Sequence, residues 1–375
     1  MRMPRSRFRF SLAMLLLVIT TLCVVLGWHA ARSHRQSRAV AKLKQLEATI
    51  VYDYDHEDRE PTGPTWLRRL LGPDAFDRVV AVEFRTPELI GDDEARWLGD
   101  LPDLKRLWLH GTRVTDAGMA HVGDLHQLED LVIYGTALTD DGFRHLRDLR
   151  KLAHLNMHGL AVGDGALVHL AQLTNLKTLH ASYTKVTDVG LASLANLTQL
   201  EVLSLDRTQV TDDGLAHLKR LTKLRELSLT GNQITAAGAR RLANLANLEQ
   251  LALGGCPIDD DAVKHLIHLK KLKRLHLGFV KMTYGGLARL TQANIVLSVY
   301  IDGESFADLR KHPDYDRIQR WQGRAMIPGF LGPQRSGIEL GPTLEHALNV
   351  DGRPEPAPGK GSQGIQPLST YSTAQ

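Results

Sequence analysis

Apolar positions recur at a fixed interval through the middle of the chain. Residues 101–292 divide into eight consecutive units of 24 residues without an insertion, and a typical unit is LTQLEVLSLDRTQVTDDGLAHLKR, residues 197–220. Positions 4, 7 and 9 of the unit are apolar in every copy, and position 7 is always leucine. The alternation of positions 7 and 9 predicts a short strand with one buried face. Apolar residues three apart later in the unit, such as Leu215, Leu218 and Leu221, predict a helical half with its own buried stripe.

The constant period predicts an α/β solenoid, in which the strands of successive units pair into a parallel sheet on the inner curve and the helices cover the outer curve. We expect residues 50–100 to form an N-terminal cap with one irregular repeat and residues 293–331 to form a C-terminal cap, because an end unit must cover an open core. Glycine, proline, serine and glutamine dominate residues 332–375, which predicts a disordered tail.

A long uncharged segment lies near the N-terminus. Residues 10–28 contain no charged side chain, and at about 1.5 Å per residue they match the thickness of a hydrocarbon core. We predict a transmembrane helix there, preceded by a basic head (residues 1–9) and followed by a basic stalk (residues 29–49) in which Val40, Leu43 and Leu46 have helical spacing. A cleaved secretory signal is the alternative. Basic residues lie on both sides of the segment, so their balance nearly cancels as a signal of orientation. Because the nine-residue head is dense in arginine and long domains translocate largely regardless of charge, we expect the head in the cytoplasm and the repeats on the extracytoplasmic side.

Two polar features recur with the same period. Positions 15–18 often form T-D-x-G, in which threonine is a fitting helix N-cap and aspartate favours the positive end of the helix. Because adjacent acids such as Asp212 and Asp213 belong to this copied motif, we interpret them as scaffold. Position 12 carries a small hydrogen-bonding residue in six copies, which predicts that it satisfies buried amides of the loop. These residues are Thr112, Thr136, Thr184, Thr208, Asn232 and Cys256.

The exposed strand positions differ among the copies, whereas the buried positions do not. In the first four units the exposed positions carry aromatic and histidine side chains, which bind with little loss of entropy when rigid strands hold them. Beyond Asp206 the same surface carries small residues. We therefore predict a partner-binding site on the N-terminal half of the inner curve, formed by Trp108, His110, Tyr134, His154, Asn156, His158, His180 and Tyr183.

Metal binding and hydrolysis are two more specific chemistries to consider for this surface. His154, His158 and His180 lie close enough in the predicted sheet to suggest zinc, but no fourth ligand or orienting carboxylate accompanies them. No Cys/His pair or G-x-S-x-G segment indicates a hydrolase. We expect no metal, no cofactor and no enzymatic activity.

Charge and cysteine content add little to the prediction of fold and function. The net charge is +4, and the sequence pI near 9.0 partly reflects arginines on both sides of the N-terminal apolar segment. The repeats contain no basic stripe with interleaved aromatic residues, so nucleic acid is not an expected partner. The two cysteines, Cys23 and Cys256, lie far apart and exclude a disulfide framework.

The units resemble the cysteine-containing subtype of leucine-rich repeats, which shares the segment VTDDGL found here at residues 210–215. In eukaryotes that subtype often accompanies an F-box, but no F-box precedes residue 101. The order of basic head, apolar anchor, basic stalk and threonine-rich repeats is more similar to bacterial membrane-anchored leucine-rich-repeat proteins. That resemblance covers residues 1 to about 300 and implies a tethered binding role without catalytic residues.

Three hypotheses for function follow from these observations. The first is a single-pass membrane protein whose repeats bind a protein or peptide partner through the inner curve. The second is a cell-envelope glycan receptor, in which Trp108, Tyr134 and Tyr183 stack on sugars. The third is a structural spacer without a specific ligand.

Overall fold

The computed structural model describes residues 12–56, 61, 65–71, 76–293, 295–300 and 318–320. The chain divides into two units, residues 1–322 and residues 323–375, and the second lies entirely outside the described residues. The predicted basic head and the predicted disordered tail therefore also lie outside them.

Twelve strands form one sheet whose spatial order follows the chain. The strand β1 pairs with β2 in antiparallel orientation, and every later pair is parallel. The predicted α/β solenoid with a parallel sheet is confirmed. The strands are β1 (Ala48–Tyr52), β2 (Val79–Phe84), β3 (Arg106–Trp108), β4 (Asp130–Val132), β5 (His154–Asn156), β6 (Thr178–His180), β7 (Val202–Ser204), β8 (Glu226–Ser228), β9 (Gln250–Ala252), β10 (Arg274–Gly278), β11 (Val296–Tyr300) and β12 (Ile318–Arg320).

Short helices return the chain from the end of one strand to the start of the next. Some are α-helical and others are 3-10 helices, which are common as short connecting segments. The α-helices are α1 (Leu12–Gln45), α2 (Asp53–His56), α3 (Thr65–Leu71), α4 (Asp92–Ala95), α5 (Asp116–Gly123), α6 (Asp164–Leu170), α7 (Asp188–Leu194), α8 (Ala236–Leu242), α9 (Val263–Leu266) and α10 (Tyr284–Gln292). The 3-10 helices are Pro87–Leu89, Arg96–Asp100, Asp140–Leu146, Gly214–Arg220 and Asp260–Ala262.

A continuous column of leucines fills the space between the sheet and the helices. Position 7 of each unit pairs with position 7 of the next, as in Leu107 with Leu131 and Leu203 with Leu227. These side chains are buried, together with the leucines at positions 1 and 4. A side chain of fixed size at a fixed interval keeps the strands in register, since a one-residue slip would turn the leucines to the opposite face of the sheet.

The helix α1 contains both the predicted membrane segment and most of the predicted stalk, and it runs without a break from Leu12 to Gln45. Val40 and Leu43, which have helical spacing in the stalk, are buried in the core together with Ala39. The open end of the first repeat exposes apolar surface, and this face of α1 covers it.

The T-D-x-G motif links neighbouring repeats by hydrogen bonds. The sequence of the motif did not predict this role. Threonine caps its own helix as predicted: the hydroxyl of Thr187 accepts from the backbone N–H of Val189 at 3.2 Å. The aspartate, however, reaches forward to the next repeat, where Asp164 Oδ1 accepts from Thr187 N at 2.8 Å and Oδ2 accepts from Thr187 Oγ1 at 2.7 Å. The glycine leaves room for this carboxylate, because a Cβ at Gly190 would lie 2.3 Å from Asp164 Oδ1. The same arrangement recurs at Asp92, Asp116, Asp188, Asp212 and Asp260.

The side chains at position 12 also bond to backbone groups other than those predicted. The threonine hydroxyls donate to backbone carbonyls instead of satisfying amides, as in Thr112 Oγ1 to Leu109 O at 2.7 Å. Cys256 Sγ donates in the same way to Leu229 O at 3.2 Å. Asn232 does both, because its Nδ2 donates to Leu205 O and its Oδ1 accepts from the amide of Thr208 at 3.1 Å. Burial raises the pKa of the Cys256 thiol to about 11, which fits a structural role.

Candidate functional site

The strands place the predicted partner-binding residues on one face of the sheet. Positions 7 and 9 point into the core, so positions 6, 8 and 10 must project from the opposite face, which we call the open face. Position 6 contributes His154, and position 8 contributes Trp108, Asn156 and His180. Position 10 contributes His110, Tyr134 and His158, and Tyr183 follows at position 11. All are half-buried except Tyr183, which is 44% exposed.

His110 and Tyr134 form the first contact on the open face. Their rings stack with centroids 5.2 Å apart and an interplanar angle of 20°. Burial lowers the pKa of His110, while burial and the nearby Glu83 carboxylate raise the pKa of Tyr134 to about 12. The buried Nδ1 of His110 makes no hydrogen bond in the part of the chain that the structure describes. These two rings therefore present uncharged surface at neutral pH, with one imidazole nitrogen unused.

His158, Tyr183 and Arg207 form a second contact at the end of the strands. The rings of His158 and Tyr183 have centroids 5.0 Å apart and are tilted by 57°. The guanidinium carbon of Arg207 lies 5.6 Å from the centroid of the Tyr183 ring, within the range of a cation–π contact. Arg207 was not among the predicted residues, and the structure adds it to the site.

Position 11 has a left-handed backbone in every repeat. Five copies use glycine there, but Tyr183, Arg207 and Phe279 adopt φ values of 59°, 48° and 54°. A bulky side chain in this region of φ/ψ space costs about 1–2 kcal/mol. Comparison of position 11 among the units could have singled out Arg207 and Phe279, since glycine is the local rule. The glycines are Gly111, Gly135, Gly159, Gly231 and Gly255.

A buried carboxylate closes the site on its C-terminal side. Asp206 Oδ1 accepts hydrogen bonds from Ser228 Oγ and, at 2.8 Å, from Thr230 N, and its Oδ2 accepts from Ser182 Oγ at 3.2 Å. Burial raises the pKa of Asp206, and these hydrogen bonds oppose the shift. The carboxylate thus ties three strands together and gives the open face a fixed acceptor cluster beside His158.

His180 lies between the aromatic residues and this cluster. Its Nδ1 is 3.0 Å from Ser204 Oγ. Burial, with smaller contributions from His158 and His154, lowers the pKa of His180 to about 4, so the ring is neutral at pH 7. Burial likewise lowers the pKa of His158. These rings act as neutral hydrogen-bonding groups and not as a positive patch.

The spacing of the histidines on the open face bears on the zinc hypothesis. Within the described residues, no group of three or more His, Cys, Asp or Glu side chains is placed to hold a metal ion. His154 and His180 lie on adjacent strands but are not directly opposite each other, because His180 pairs with Asn156, two residues beyond His154. The His180 ring contacts the hydroxyl of Ser204. The open face therefore offers aromatic contact area and neutral hydrogen-bonding groups.

The in-register parallel sheet, the 24-residue period and the capped return helices together define the class of leucine-rich-repeat solenoids. Family models described as leucine rich repeat match residues 198–258 and residues 172–195. The chain is a leucine-rich-repeat protein, and such repeats generally serve as scaffolds for protein interactions. No curated protein sequence matches the chain significantly.

Solved structures that are similar to this chain include two internalins and another leucine-rich-repeat protein. Internalin C2 from Listeria monocytogenes is 30% identical over 54% of this chain and 83% of its own, with a TM-score of 0.46. A leucine-rich-repeat protein from Leptospira interrogans is 23% identical over 60% of this chain and 57% of its own, with a TM-score of 0.48. A second internalin from Listeria monocytogenes is 21% identical over 61% of this chain and 83% of its own, with a TM-score of 0.36.

Proposed function

We propose that this protein is a membrane-tethered scaffold that binds a protein or peptide partner through the open face of its sheet. The proposed contact surface, which we call the aromatic patch, consists of the eight predicted residues and Arg207. It combines stacked rings, neutral imidazoles and one guanidinium on adjacent strands, a composition typical of the energetically dominant part of a protein interface.

The observation that carries the proposal is the replacement of glycine by Tyr183 and Arg207 in a left-handed backbone. Both side chains accept an unfavourable conformation, and they contact each other instead of the core. Strain of this kind persists where the surrounding structure holds it, and it is concentrated at functional sites. Its position beside His158, at the margin of the aromatic patch, supports a binding role for that end of the strands.

Pull-down of partners by the full-length protein, solubilised in detergent from its own cells after crosslinking, tests the proposal. We expect Trp108→Ala, Tyr134→Ala and His158→Ala each to reduce recovery of the crosslinked partner at least tenfold, as truncation of a central aromatic contact does. The matched control is His276→Ala, which removes the same kind of ring from the same face outside the patch. Unchanged recovery with all three patch variants would contradict the proposal.

Glycan binding is the second candidate, because exposed Tyr183 and half-buried Trp108 offer faces on which sugars stack. A glycan array probed with the full-length protein in detergent distinguishes the two. Specific glycan signals that disappear in Tyr183→Ala would favour the envelope receptor over the protein-binding scaffold.

The tether is proposed from α1. Among the described helices, this one is long and apolar enough to cross a membrane, and Met14–Val25 includes many large apolar side chains that the fold leaves exposed. Such surface needs a bilayer or another apolar cover. Because the short head is dense in arginine and long domains translocate largely regardless of charge, we place the head in the cytoplasm and the repeats on the extracytoplasmic side. Protease added to intact cells should therefore degrade the repeats, whereas repeats protected until lysis would indicate the opposite orientation. The mass of the mature chain should include residues 1–28, because the segment is an anchor that is not cleaved.

A further inference from the structure

The direction of α1 relative to the sheet is fixed by contacts at both ends of its packed segment. Gln36 Nε2 donates to Asp77 O at 2.7 Å, just before β2 begins, and Thr86 Oγ1 donates to Leu46 O at 3.5 Å, just after β2 ends. The helix therefore runs alongside β2 in the same direction as the strand. Its earlier part must leave the fold at the edge of the sheet where the parallel strands begin, which we call the starting edge.

A second contact brings the end of the apolar segment close to that edge. The guanidinium of Arg32 forms an ion pair with Asp103, which precedes β3. Trp28, the last residue of the uncharged segment, lies four residues earlier, or about 6 Å along the helix axis. If α1 spans a bilayer, as the proposed function assumes, the starting edge at the first repeat lies within a Debye length of about 8–10 Å of the lipid headgroups.

The starting edge is basic in the later repeats. Because the strands are in register, the residues ahead of each strand all lie along this edge. Two such segments, residues 219–225 (KRLTKLR) and residues 267–273 (IHLKKLK), contain no acidic residue. Seven of their side chains are basic and exposed: Lys219, Arg220, Lys223, Arg225, Lys270, Lys271 and Lys273. Glu249, in the segment between them, pairs with Arg225 and Lys273, which leaves most of the positive charge without an acidic partner.

The opposite side of the repeats carries exposed acids where the return helices begin. Asp141, Asp213 and Asp261 are exposed there. Helix dipoles favour this distribution of charge, but they do not require it. Residues 195–201 (ANLTQLE) occupy the same starting edge without a single basic side chain. The concentration of lysine and arginine in residues 219–225 and 267–273 is therefore a feature of these two segments and not of the scaffold.

We propose that the starting edge of these repeats, residues 219–225 and 267–273, lies on the anionic phospholipid headgroups of the membrane that holds α1. Each Lys or Arg near an anionic surface adds a favourable electrostatic contribution that salt screens. The packed, ion-paired base of α1 holds the sheet upright on the bilayer, and the basic edge extends this contact along the repeats. The aromatic patch on the open face then remains accessible beside the membrane.

Lysine footprinting of the full chain in nanodiscs tests this arrangement. The reactivity of each lysine toward an amine-acetylating reagent is measured by mass spectrometry in discs of phosphatidylcholine alone and in discs with about one third phosphatidylglycerol. We expect Lys223 and Lys271 to react at least threefold more slowly in the anionic discs, and the protection to disappear in 0.5 M salt. Lys185 and Lys281, which follow the strands at the opposite edge, are internal controls and should react equally in both discs.

A charge-neutralised variant strengthens the test. Lys219→Gln, Lys223→Gln, Lys270→Gln and Lys271→Gln together should abolish the lipid-dependent protection of the remaining Lys273. Lys185→Gln with Lys281→Gln should leave it unchanged. Equal reactivity of the starting-edge lysines in both discs, or protection by an added oligonucleotide in place of anionic lipid, would overturn the inference while leaving the tether intact. A chain that enters neither kind of disc would overturn the tether and the inference together.

Discussion

The inter-repeat role of the aspartate and glycine in T-D-x-G leads to a sharp prediction for Gly190→Ala. An added Cβ would lie 2.3 Å from Asp164 Oδ1 and 3.1 Å from Leu167 Cδ1. The carboxylate must move, which breaks its hydrogen bonds to the amide and hydroxyl of Thr187. Losing two hydrogen bonds to a charged, partly buried group costs about 2–4 kcal/mol, and the better helix propensity of alanine returns about 1 kcal/mol. We expect a net loss of roughly 1–3 kcal/mol in the free energy of unfolding.

The neighbouring residue supplies the matched control for this measurement. Val189 lies in the same helix and its side chain is 73% exposed, so Val189→Ala removes little buried surface. That variant should stay within about 0.5 kcal/mol of the parent protein. Guanidinium unfolding of the full chain in detergent, followed by circular dichroism, gives both values.

A double-mutant cycle with Asp164→Ala then isolates the clash. Once the carboxylate is gone, Gly190→Ala should cost less than about 0.5 kcal/mol, because two of the three atoms nearest to the added methyl group belong to that carboxylate and the third, Leu167 Cδ1, lies 3.1 Å away. Equal stability of Gly190→Ala and Val189→Ala would refute the account of the motif. So would an undiminished cost of Gly190→Ala in the Asp164→Ala background.

Three further predictions concern residues of the open face and the loop. The unfolded imidazole of His180 titrates near 6.5 and the folded one near 4, so the unfolded state binds the proton first as pH falls. The free energy of unfolding should drop by about 2 kcal/mol between pH 7 and pH 5. His180→Asn should show a smaller drop in its guanidinium midpoint over the same range. Identical pH profiles for the parent protein and this variant would argue against burial of the ring. Cys256, with its raised pKa, should resist maleimide until denaturant is added, and labelling at Cys256 in the native protein, resolved from the exposed Cys23 by peptide mass spectrometry, would contradict its buried, hydrogen-bonded position. Phe279 has a left-handed backbone and a side chain that is 70% exposed, so Phe279→Gly should raise the free energy of unfolding by about 0.5–1 kcal/mol. The reverse change, Gly231→Phe, should lower it. A destabilised Phe279→Gly would show that the phenyl ring makes contacts that outweigh the strain.

Local pattern was sufficient to predict the repeat architecture. Strand, turn and helix each fall within one 24-residue unit, and their signals are the spacing of leucines and the threonine cap. One copy of this pattern would be a weak indicator of a strand or a helix, but eight copies at the same interval are a strong one. The parallel sheet could therefore be predicted directly from the amino-acid sequence. The location of Trp108, Tyr134 and His180 on one face also followed, because residue parity within a strand decides which face a side chain occupies. Their role in binding stays a prediction.

Contacts between distant residues were beyond the reach of the pattern. Asp164 and Thr187 are 23 residues apart, and only the stacking of repeats shows that the carboxylate serves the next helix and not its own. In the same way, the spacing of Val40 and Leu43 indicated a helix but not its target, which is the open end of the core. Sequence alone determined the period, the register and the buried spine, because these depend on neighbours along the chain. The tertiary structure decided which surface each polar group meets and at which edge the N-terminal helix leaves, because those depend on packing between repeats.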